Sequence, residues 1–389
     1  MNENSVNAAA MEAQHLLQVY AQLNLTPTRA QGVYIYCGER RLVDWYGGHA
    51  VAALGYAHPE MLAALDAQSK SLFFQSNAVP LEVRARAADA LCDFAPDGLT
   101  RAFFVNSGAE ANENALRLAL KLTGRTRIAA IEHGFHGRTA AAGAVTWGSA
   151  GGWYGYPRTP FDVDFIPRND SEAAARLISG DTAAVIVEPI QGVAGAVDLD
   201  PVFLDTLARE CTASGALLIV DEVQSGIGRT GQPFAADLYG LRPDLMTLAK
   251  SLGGGFPCGA LLLTDEVARD IGKGELGSTF GGGPLACAMI ETVIKVIRRD
   301  HLMENLRDLS AQIAAALPLG PVTGIQGKGF LLGLKCSRPA KEVQSALLAR
   351  NLLTGSSADP NVLRLLPPYV MQQEQVDELL TGLGALPET

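Results

Sequence analysis

Three separate stretches of the sequence hold residues that could do chemistry at one site. An apolar run at residues 216–220 ends abruptly in Asp221. A second apolar run, at residues 245–248, leads to Lys250 and then to three glycines at 253–255. If both runs are strands of one sheet, the acid and the lysine lie at its carboxyl edge, where ligands bind in open α/β folds. Burial there would lower the pKa of the lysine and make its amine nucleophilic toward carbonyl groups.

The third stretch is suited to hold a phosphate. A short apolar run at residues 102–105 is followed by Asn106, Ser107, Gly108 and Ala109, with a helical pattern over residues 109–122. The free amides and the dipole at the start of a helix favour a bound anion. A fourth stretch, residues 132–139, contains an aromatic side chain that could cover the face of a flat ligand.

Together these residues match the needs of pyridoxal 5'-phosphate (PLP). This cofactor requires a lysine for its aldehyde, an acid for its ring nitrogen and an anion site for its phosphate. The acid keeps the ring nitrogen protonated, so that the ring can accept electrons from the substrate. We therefore interpret Lys250 and Asp221 as the catalytic residues of a PLP site.

Plain structural interpretations of the same residues stay open. Asp221 could cap a loop or pair with a surface arginine, and Lys250 could be a solvated loop lysine. The turn after residue 105 resembles many strand–helix turns. A structural role is favoured over a catalytic one for His133, His136, Trp147, Trp153 and Arg229.

The order and spacing of five motifs resemble those of the class III (ω-amino-acid) aminotransferases, which have PLP fold type I. The resemblance extends from residue 32 to about residue 368, and within the family it is strongest to acetylornithine aminotransferases. The motifs are NSGAEA at 106–111, FHGRT at 135–139, VEPIQG at 187–192, DEVQSGIGRTG at 221–231 and GSTFGG at 277–282.

The resemblance implies how the cofactor would be held. Lys250 would bind its aldehyde, and Phe135 would stack on its ring. Thr279 would reach the phosphate bound by the neighbouring subunit, so a homodimer with shared active sites is expected. The full set implied to bind the cofactor is Ser107, Gly108, Ala109, Phe135, Glu188, Asp221, Gln224, Lys250 and Thr279.

The resemblance also implies a substrate site, formed by Arg138, Ser278 and Arg364. Arg138 would bind the remote carboxylate of an acetylornithine-like donor, although it could instead bridge to a backbone carbonyl. Arg364 would bind the α-carboxylate of glutamate or 2-oxoglutarate. Many relatives have a glutamate where this chain has Val193, so Arg364 would lack an acidic partner here. Because an unpaired arginine favours carboxylates, this departure weighs against ornithine as a donor. Gly283 also departs from the family, with no effect that the sequence explains.

Apolar runs that alternate with helical patterns predict an α/β fold with a mostly parallel central sheet, plus a smaller α+β domain. The expected domains are residues 1–50 (N-terminal helix and hairpin, part of the small domain), 51–285 (large PLP-binding domain) and 286–389 (small domain). The predicted strands are 33–36, 42–45, 102–105, 128–131, 163–166, 183–187, 216–220, 245–248, 260–263, 329–334 and 362–366. The predicted helices are 8–23, 109–122, 201–214, 285–298, 303–317 and 340–352.

Composition narrows the class of protein. The chain has 389 residues, a formal net charge of −10 and no basic footprint, so nucleic acid is not an expected partner. The six cysteines form no ligand cluster, and no metal site is expected. Residues 1–14 lack the pattern of a secretory signal, and no apolar run is long enough for a membrane helix. We therefore expect a cytoplasmic protein.

The expected activity is transfer of an ω-amino group from N2-acetylornithine to 2-oxoglutarate. Alternatives on the same scaffold are 4-aminobutyrate, ornithine, succinylornithine or another ω-amine as donor, or pyruvate as acceptor. A racemase or decarboxylase is a second alternative, because a fold does not set the reaction type. A non-catalytic binding protein is a third, but it would have no chemical need for Lys250 and Asp221.

Overall fold

The computed structural model describes residues 8–388. Residues 1–7, which are part of the stretch where we predict no secretory signal, lie outside this range. The strands are β1 Arg29–Gln31, β2 Tyr34–Cys37, β3 Arg40–Asp44, β4 Leu99–Val105, β5 Arg127–Ile131, β6 Asp162–Ile166, β7 Thr182–Val187, β8 Ile190–Gln191, β9 Val197–Asp198, β10 Leu217–Asp221, β11 Leu245–Leu248, β12 Gly259–Thr264, β13 Val322–Lys328, β14 Leu331–Cys336, β15 Leu352–Leu353 and β16 Val362–Leu365.

The helical segments surround these strands. They are α1 Ala8–His15, α2 Gly47–Ala50, α3 Pro59–Ser71, α4 Glu82–Phe94, α5 Gly108–Thr123, α6 Ala140–Ala144, α7 Ser149–Gly152, α8 Ser171–Leu177, α9 Pro201–Ser214, α10 Ala235–Tyr239, α11 Asp265–Arg269, α12 Pro284–Arg299, α13 Leu302–Ala315, α14 Ala340–Ala349 and α15 Gln373–Gly384. No helix among residues 8–388 is long and apolar enough to cross a membrane.

The central sheet has seven strands in the order β4-β12-β11-β10-β7-β5-β6. The pairs from β11 through β6 are parallel, and β12 runs antiparallel to both of its neighbours. The middle strands are apolar on both faces: every residue of β7 is buried. Such continuous apolar runs are typical of parallel strands covered by helices on both sides. The predicted α/β class and mostly parallel sheet are confirmed.

Smaller sheets pack beside the large one. The predicted hairpin forms from β2 and β3, and β15 adds to it in parallel, with Leu352 opposite Val43. A three-stranded antiparallel sheet has the order β13-β14-β16. The N-terminal hairpin and the C-terminal third of the chain therefore share a sheet. The domain boundaries at residues 50 and 285 stay a prediction.

The predicted helix over residues 8–23 is wrong beyond His15. α1 has no buried residue, and the side chains of Leu17 and Tyr20 beyond it are exposed. Most helical stability in proteins comes from packing an apolar face, so a helix that buries none ends early. The Gln18 amide donates to the carbonyl of Glu12 near this end. The helix predicted at 340–352 also stops early, at Ala349, because the chain turns there to form β15.

A buried carboxyl group, that of Glu222, follows β10. It accepts hydrogen bonds from Ser225 Oγ at 2.5 Å and from the amide of Ala236 at 2.7 Å. Burial raises the pKa of Glu222 to about 7. Because the folded state then holds this proton more tightly than the unfolded chain, the free energy of unfolding falls as the pH rises from about 4.5 to about 7.

Replacing this group should change the pH dependence of stability. A pKa that rises from 4.5 to about 7 corresponds to at most about 3–4 kcal/mol. We expect Glu222→Gln to lose less stability than the wild type between pH 5 and pH 8, measured by urea unfolding. Glu304→Gln, which changes an exposed carboxylate, is the control and should behave like the wild type. Equal losses in all three proteins would contradict this role of Glu222.

Candidate active site

The candidate site lies where parallel strands of the large sheet end. Asp221 is the last residue of β10, and Glu188 comes directly after β7. Lys250 follows β11 by two residues, and Gly108 begins α5 shortly after β4. The register pairs Asp221 with Thr247 of the neighbouring strand, three residues before the lysine. The topology thus brings residues that are far apart in sequence to one edge.

Three hydrogen bonds hold the buried Asp221 carboxylate. Its Oδ2 accepts from Asn112 Nδ2 at 2.8 Å and lies 2.8 Å from His136 Nδ1. Its Oδ1 accepts from the amide of Val223 at 2.9 Å. Burial acts to raise the pKa of Asp221, but the hydrogen bond and the charge of His136, with the other donors, bring it below its usual value. The group is therefore an anion that can hold a proton on a partner atom.

Lys250 faces this carboxylate from the next strand. Burial lowers the pKa of its amine to about 8, although the charges of Asp221 and Glu188 act in the opposite direction. Its backbone is left-handed, with φ 46°, a conformation that L-residues adopt only at a cost. Among the described residues, Nζ makes no hydrogen bond, so the amine is available to a ligand.

Glu188 and Arg364 form the opposite side of the site. Glu188 accepts from the amides of Phe135 and Gly192 at 2.8 and 3.2 Å, and burial raises its pKa. Arg364 is buried and donates to Gly192 O at 3.0 Å, to Gln224 Oε1 at 3.3 Å and to Tyr46 Oη at 3.1 Å. Within residues 8–388 it forms no ion pair with a carboxylate. Its positive charge is held by neutral groups only.

A cavity of about 210 Å³ lies between Asp221, Lys250 and Glu188. Its lining includes Gly108, Ala109, Phe135, Glu188, Asp221, Gln224 and Lys250. A Cβ atom on Gly192 would lie 1.9 Å from Gln224 Oε1, so glycine is needed there for the glutamine to reach the wall. The first amides of α5 have no partner within the helix and can meet an anion. Amine, acid, aromatic ring and anion site therefore fit PLP.

Arg364 and four other predicted residues lie outside the cavity lining. Ser107 caps α5, where its Oγ accepts from the Glu110 amide at 3.2 Å. Ser278 Oγ is 3.3 Å from Asn106 Nδ2, and Thr279 is exposed to solvent. Arg138 is also exposed, with its guanidinium 5.1 Å from the centre of the Trp153 ring. The structure thus places these four at the margin of the site.

Sequence reasoning missed the partners of the predicted residues. His136 and Asn112 bind the Asp221 carboxylate, although they lie 85 and 109 residues away in the sequence. The only sequence signal for them was that they lie in or next to the motifs at 135–139 and 106–111. From the N-terminal segment, Tyr46 accepts a hydrogen bond from Arg364, and His49 packs against Tyr46. No sequence signal marked them. The structural interpretation of Arg229 is consistent with its three contacts to backbone carbonyls.

Comparison with known proteins gives a consistent picture. The family model for aminotransferase class-III matches residues 18–386. The acetylornithine aminotransferase of Methanosarcina acetivorans is 37% identical over 376 residues, which cover 96% of this chain and 94% of that protein. The [LysW]-aminoadipate semialdehyde/glutamate semialdehyde transaminase of Sulfolobus acidocaldarius is 35% identical, covering 93% and 95%.

A solved structure agrees in fold. The ornithine aminotransferase of Toxoplasma gondii superimposes with a TM-score of 0.90 at 27% identity, covering 96% of this chain and 92% of that one. That structure has PLP at its active site with partial occupancy.

The first test of the site is chemical. We expect purified protein with PLP to absorb in the visible range, and borohydride to fix the cofactor to Lys250, because its amine is the reactive group that lines the cavity. Peptide mapping by mass spectrometry identifies the labelled lysine. Lys250→Ala should abolish the label, while Lys273→Ala, a change in an exposed loop, should not. A label on any other lysine would overturn the assignment.

Proposed function

Since this chain belongs to the class III aminotransferases and uses PLP, we propose that it transfers the ω-amino group of N2-acetylornithine to 2-oxoglutarate. The products would be N-acetylglutamate semialdehyde and glutamate, as in arginine biosynthesis. The observation that carries the proposal is the buried Arg364, whose partners are all neutral. Such an arginine is suited to a carboxylate ligand, because a bidentate carboxylate satisfies both its charge and its donors.

The cavity residues would divide the chemistry between them. PLP supplies, when bound, an aldehyde for the amine of the donor and a ring that withdraws electrons. Lys250 Nζ, with its pKa lowered to about 8, would take a proton from the substrate carbon and deliver it to the cofactor. In the reverse half-reaction it would carry the proton back. Asp221 would keep the ring nitrogen protonated. Phe135, whose amide is fixed by Glu188, would cover the ring and exclude water.

Two arginines would bind the carboxylates at the two ends of the substrates. An acetylated ornithine has one carboxylate, far from the reacting amine, and would use Arg138. Glutamate and 2-oxoglutarate have two carboxylates and would use both Arg138 and Arg364. Val193 lines the cavity where many relatives have a glutamate, so nothing acidic at that position would neutralise Arg364.

A donor panel tests the substrate. With 2-oxoglutarate as acceptor, we expect glutamate formation to have the highest kcat/KM for N2-acetylornithine, ahead of succinylornithine, ornithine and 4-aminobutyrate. Arg364→Ala should slow the glutamate half-reaction by about 1.5–3 kcal/mol and affect the acetylornithine half-reaction less. Arg138→Ala should slow both. Stopped-flow absorbance of the two half-reactions provides the measurement.

Arg158→Ala, a change in an exposed arginine, is the control and should leave both half-reactions unchanged. If ornithine or 4-aminobutyrate were preferred, the proposed donor would be wrong. If Arg364→Ala slowed both half-reactions equally, the assignment of the two arginines would be wrong.

We also propose that the enzyme is a homodimer with shared active sites. What supports this is an exposed aromatic patch next to Thr279: Phe280 is 65% exposed and its ring lies 5.5 Å from that of Phe74, which is 43% exposed. Large apolar side chains grouped on a surface are typical of protein contacts. A partner covering this patch would approach the exposed Thr279 hydroxyl.

The dimer leads to a prediction about cofactor retention. Thr279→Ala should weaken PLP binding roughly tenfold or more, since one hydrogen bond to a charged phosphate would be lost. Equilibrium dialysis of PLP measures the change, and light scattering measures the mass. Thr212→Ala, on the exposed side of α9, is the control. A fully active monomer would contradict the proposal.

A further inference from the structure

An unusual turn lies beside the candidate site. Gly47, Gly48, His49 and Ala50 all have left-handed backbones, with φ of 55°, 57°, 68° and 67°. Two of the four are not glycine, and left-handed geometry costs an ordinary L-residue roughly 1–2 kcal/mol. Strained backbones persist where the surroundings hold them, and they cluster at functional sites.

Contacts from several directions hold this turn. The buried Asp44 carboxylate accepts hydrogen bonds from the amides of Tyr46 and Gly47 at 2.8 and 3.0 Å. At the far end, the carbonyl of Ala50 accepts from Ser251 Oγ at 2.9 Å, directly next to Lys250. The position of His49 is therefore tied to the segment that carries the reactive lysine.

The His49 side chain is linked to Arg364 through Tyr46. Its ring lies 4.7 Å from the ring of Tyr46, whose hydroxyl accepts a hydrogen bond from Arg364 at 3.1 Å. Part of the residue is exposed to solvent.

The charged groups around His49 are Arg364 and Lys250. Burial, and then the charges of these two cations, lower the pKa of His49. Tyr46 packs on its ring and is neutral, since burial raises the pKa of that phenol. The charge of Glu188 raises the pKa of Arg364 and of Lys250, but it does not contribute to the pKa shift of His49. At neutral pH the free site therefore has an uncharged His49.

We propose that His49 is a second, proton-carrying member of the carboxylate site at Arg364, so that carboxylate binding there is coupled to protonation of the imidazole. A bound carboxylate brings one negative charge to Arg364, which offsets the effect of the guanidinium on His49. This change favours the imidazolium form. By linkage, a carboxylate that favours the proton on His49 binds more weakly as the pH rises.

This inference rests on the proposed function, because it uses Arg364 as the carboxylate site. It also gives that site a way to serve two kinds of substrate. With a 2-oxo acid bound, His49 gains a proton and adds a second positive charge. With the uncharged chain of an ω-amine donor bound, His49 loses the proton. The site then has one positive charge fewer than with the 2-oxo acid bound. Proton release from His49 would thus replace part of what an acidic residue at position 193 could do.

The experiment measures proton uptake directly. Glutarate, an unreactive analogue of 2-oxoglutarate, is titrated into the PLP-loaded enzyme by calorimetry at pH 7.5, in phosphate and in Tris. The difference in heat between buffers gives the number of protons bound. We expect the wild type to take up a fraction of a proton, up to about one per site, beyond the uptake of the His49→Asn variant. Glutarate affinity between pH 6.5 and 8.5 should also fall more steeply for the wild type.

The variants are chosen so that the left-handed backbone of the turn is kept. Asparagine tolerates left-handed geometry, so His49→Asn should keep the turn. His301→Asn is the matched control, because His301 is also left-handed, with φ 52°, and lies at the start of α13. It should keep the wild-type proton uptake. His49→Gln is a second neutral variant and should behave like His49→Asn.

Two outcomes would overturn the proposal in distinguishable ways. If glutarate binds and both His49 variants take up as many protons as the wild type, His49 is not part of the site and the proposed function stands. If glutarate does not bind and no glutamate forms from 2-oxoglutarate, the carboxylate site itself is wrong, and the proposed function falls together with the role of His49.

Discussion

The buried pair of Asp221 and His136 is the interaction on which the candidate site depends. A carboxylate without solvent is costly unless donors surround it. Here His136, Asn112 and the Val223 amide all donate to it, so it stays charged. That fixed negative charge in turn favours the protonated form of the nearby lysine, against the effect of burial. The result is an amine that is close to changing charge at neutral pH.

A second buried cation keeps the lysine segment in place. Arg229 donates to the carbonyls of Pro367 and Phe330, and to that of Ala50 at 3.4 Å. Its guanidinium also lies 4.5 Å from the ring of Tyr369, whose hydroxyl is 3.0 Å from Ser251 Oγ. These contacts join the glycine-rich loop, the N-terminal turn and the C-terminal segment around the residue that follows Lys250. The left-handed lysine is thus held by parts of the chain that lie far apart in sequence.

The sequence predicted the central sheet well because its middle strands, β7, β10 and β11, are continuous apolar runs. The sequence pattern predicted the helices less well, because tertiary packing decides where several of them form and end. The segment after His15 has helix-forming residues but no face to bury, whereas α3, α4 and α15 form helices that we did not predict. The meeting of Lys250 and Asp221 at one edge of the sheet was predictable from the apolar runs that precede them. His49 was not, because its importance arises from a backbone turn and from two cations 201 and 315 residues further along.

Substrate selection in such a site must come from its two ends, since the reacting centre is common to all donors. At the near end, Arg364 is buried, and its partners are a phenol, an amide and backbone carbonyls. These dipoles hold the guanidinium in place without cancelling its charge, which is the condition for the carboxylate role that we propose for Arg364. At the far end, Arg138 is exposed and rests on Trp153. Stacking of this kind is worth about 0.5–1 kcal/mol at exposed sites, so it orients the arginine but leaves its donors free. In the proposed reaction, a donor whose only carboxylate lies at the far end would gain from Arg138, and Arg364 would have to tolerate its uncharged near end. The net charge around Arg364 would then be the quantity that separates donor from acceptor.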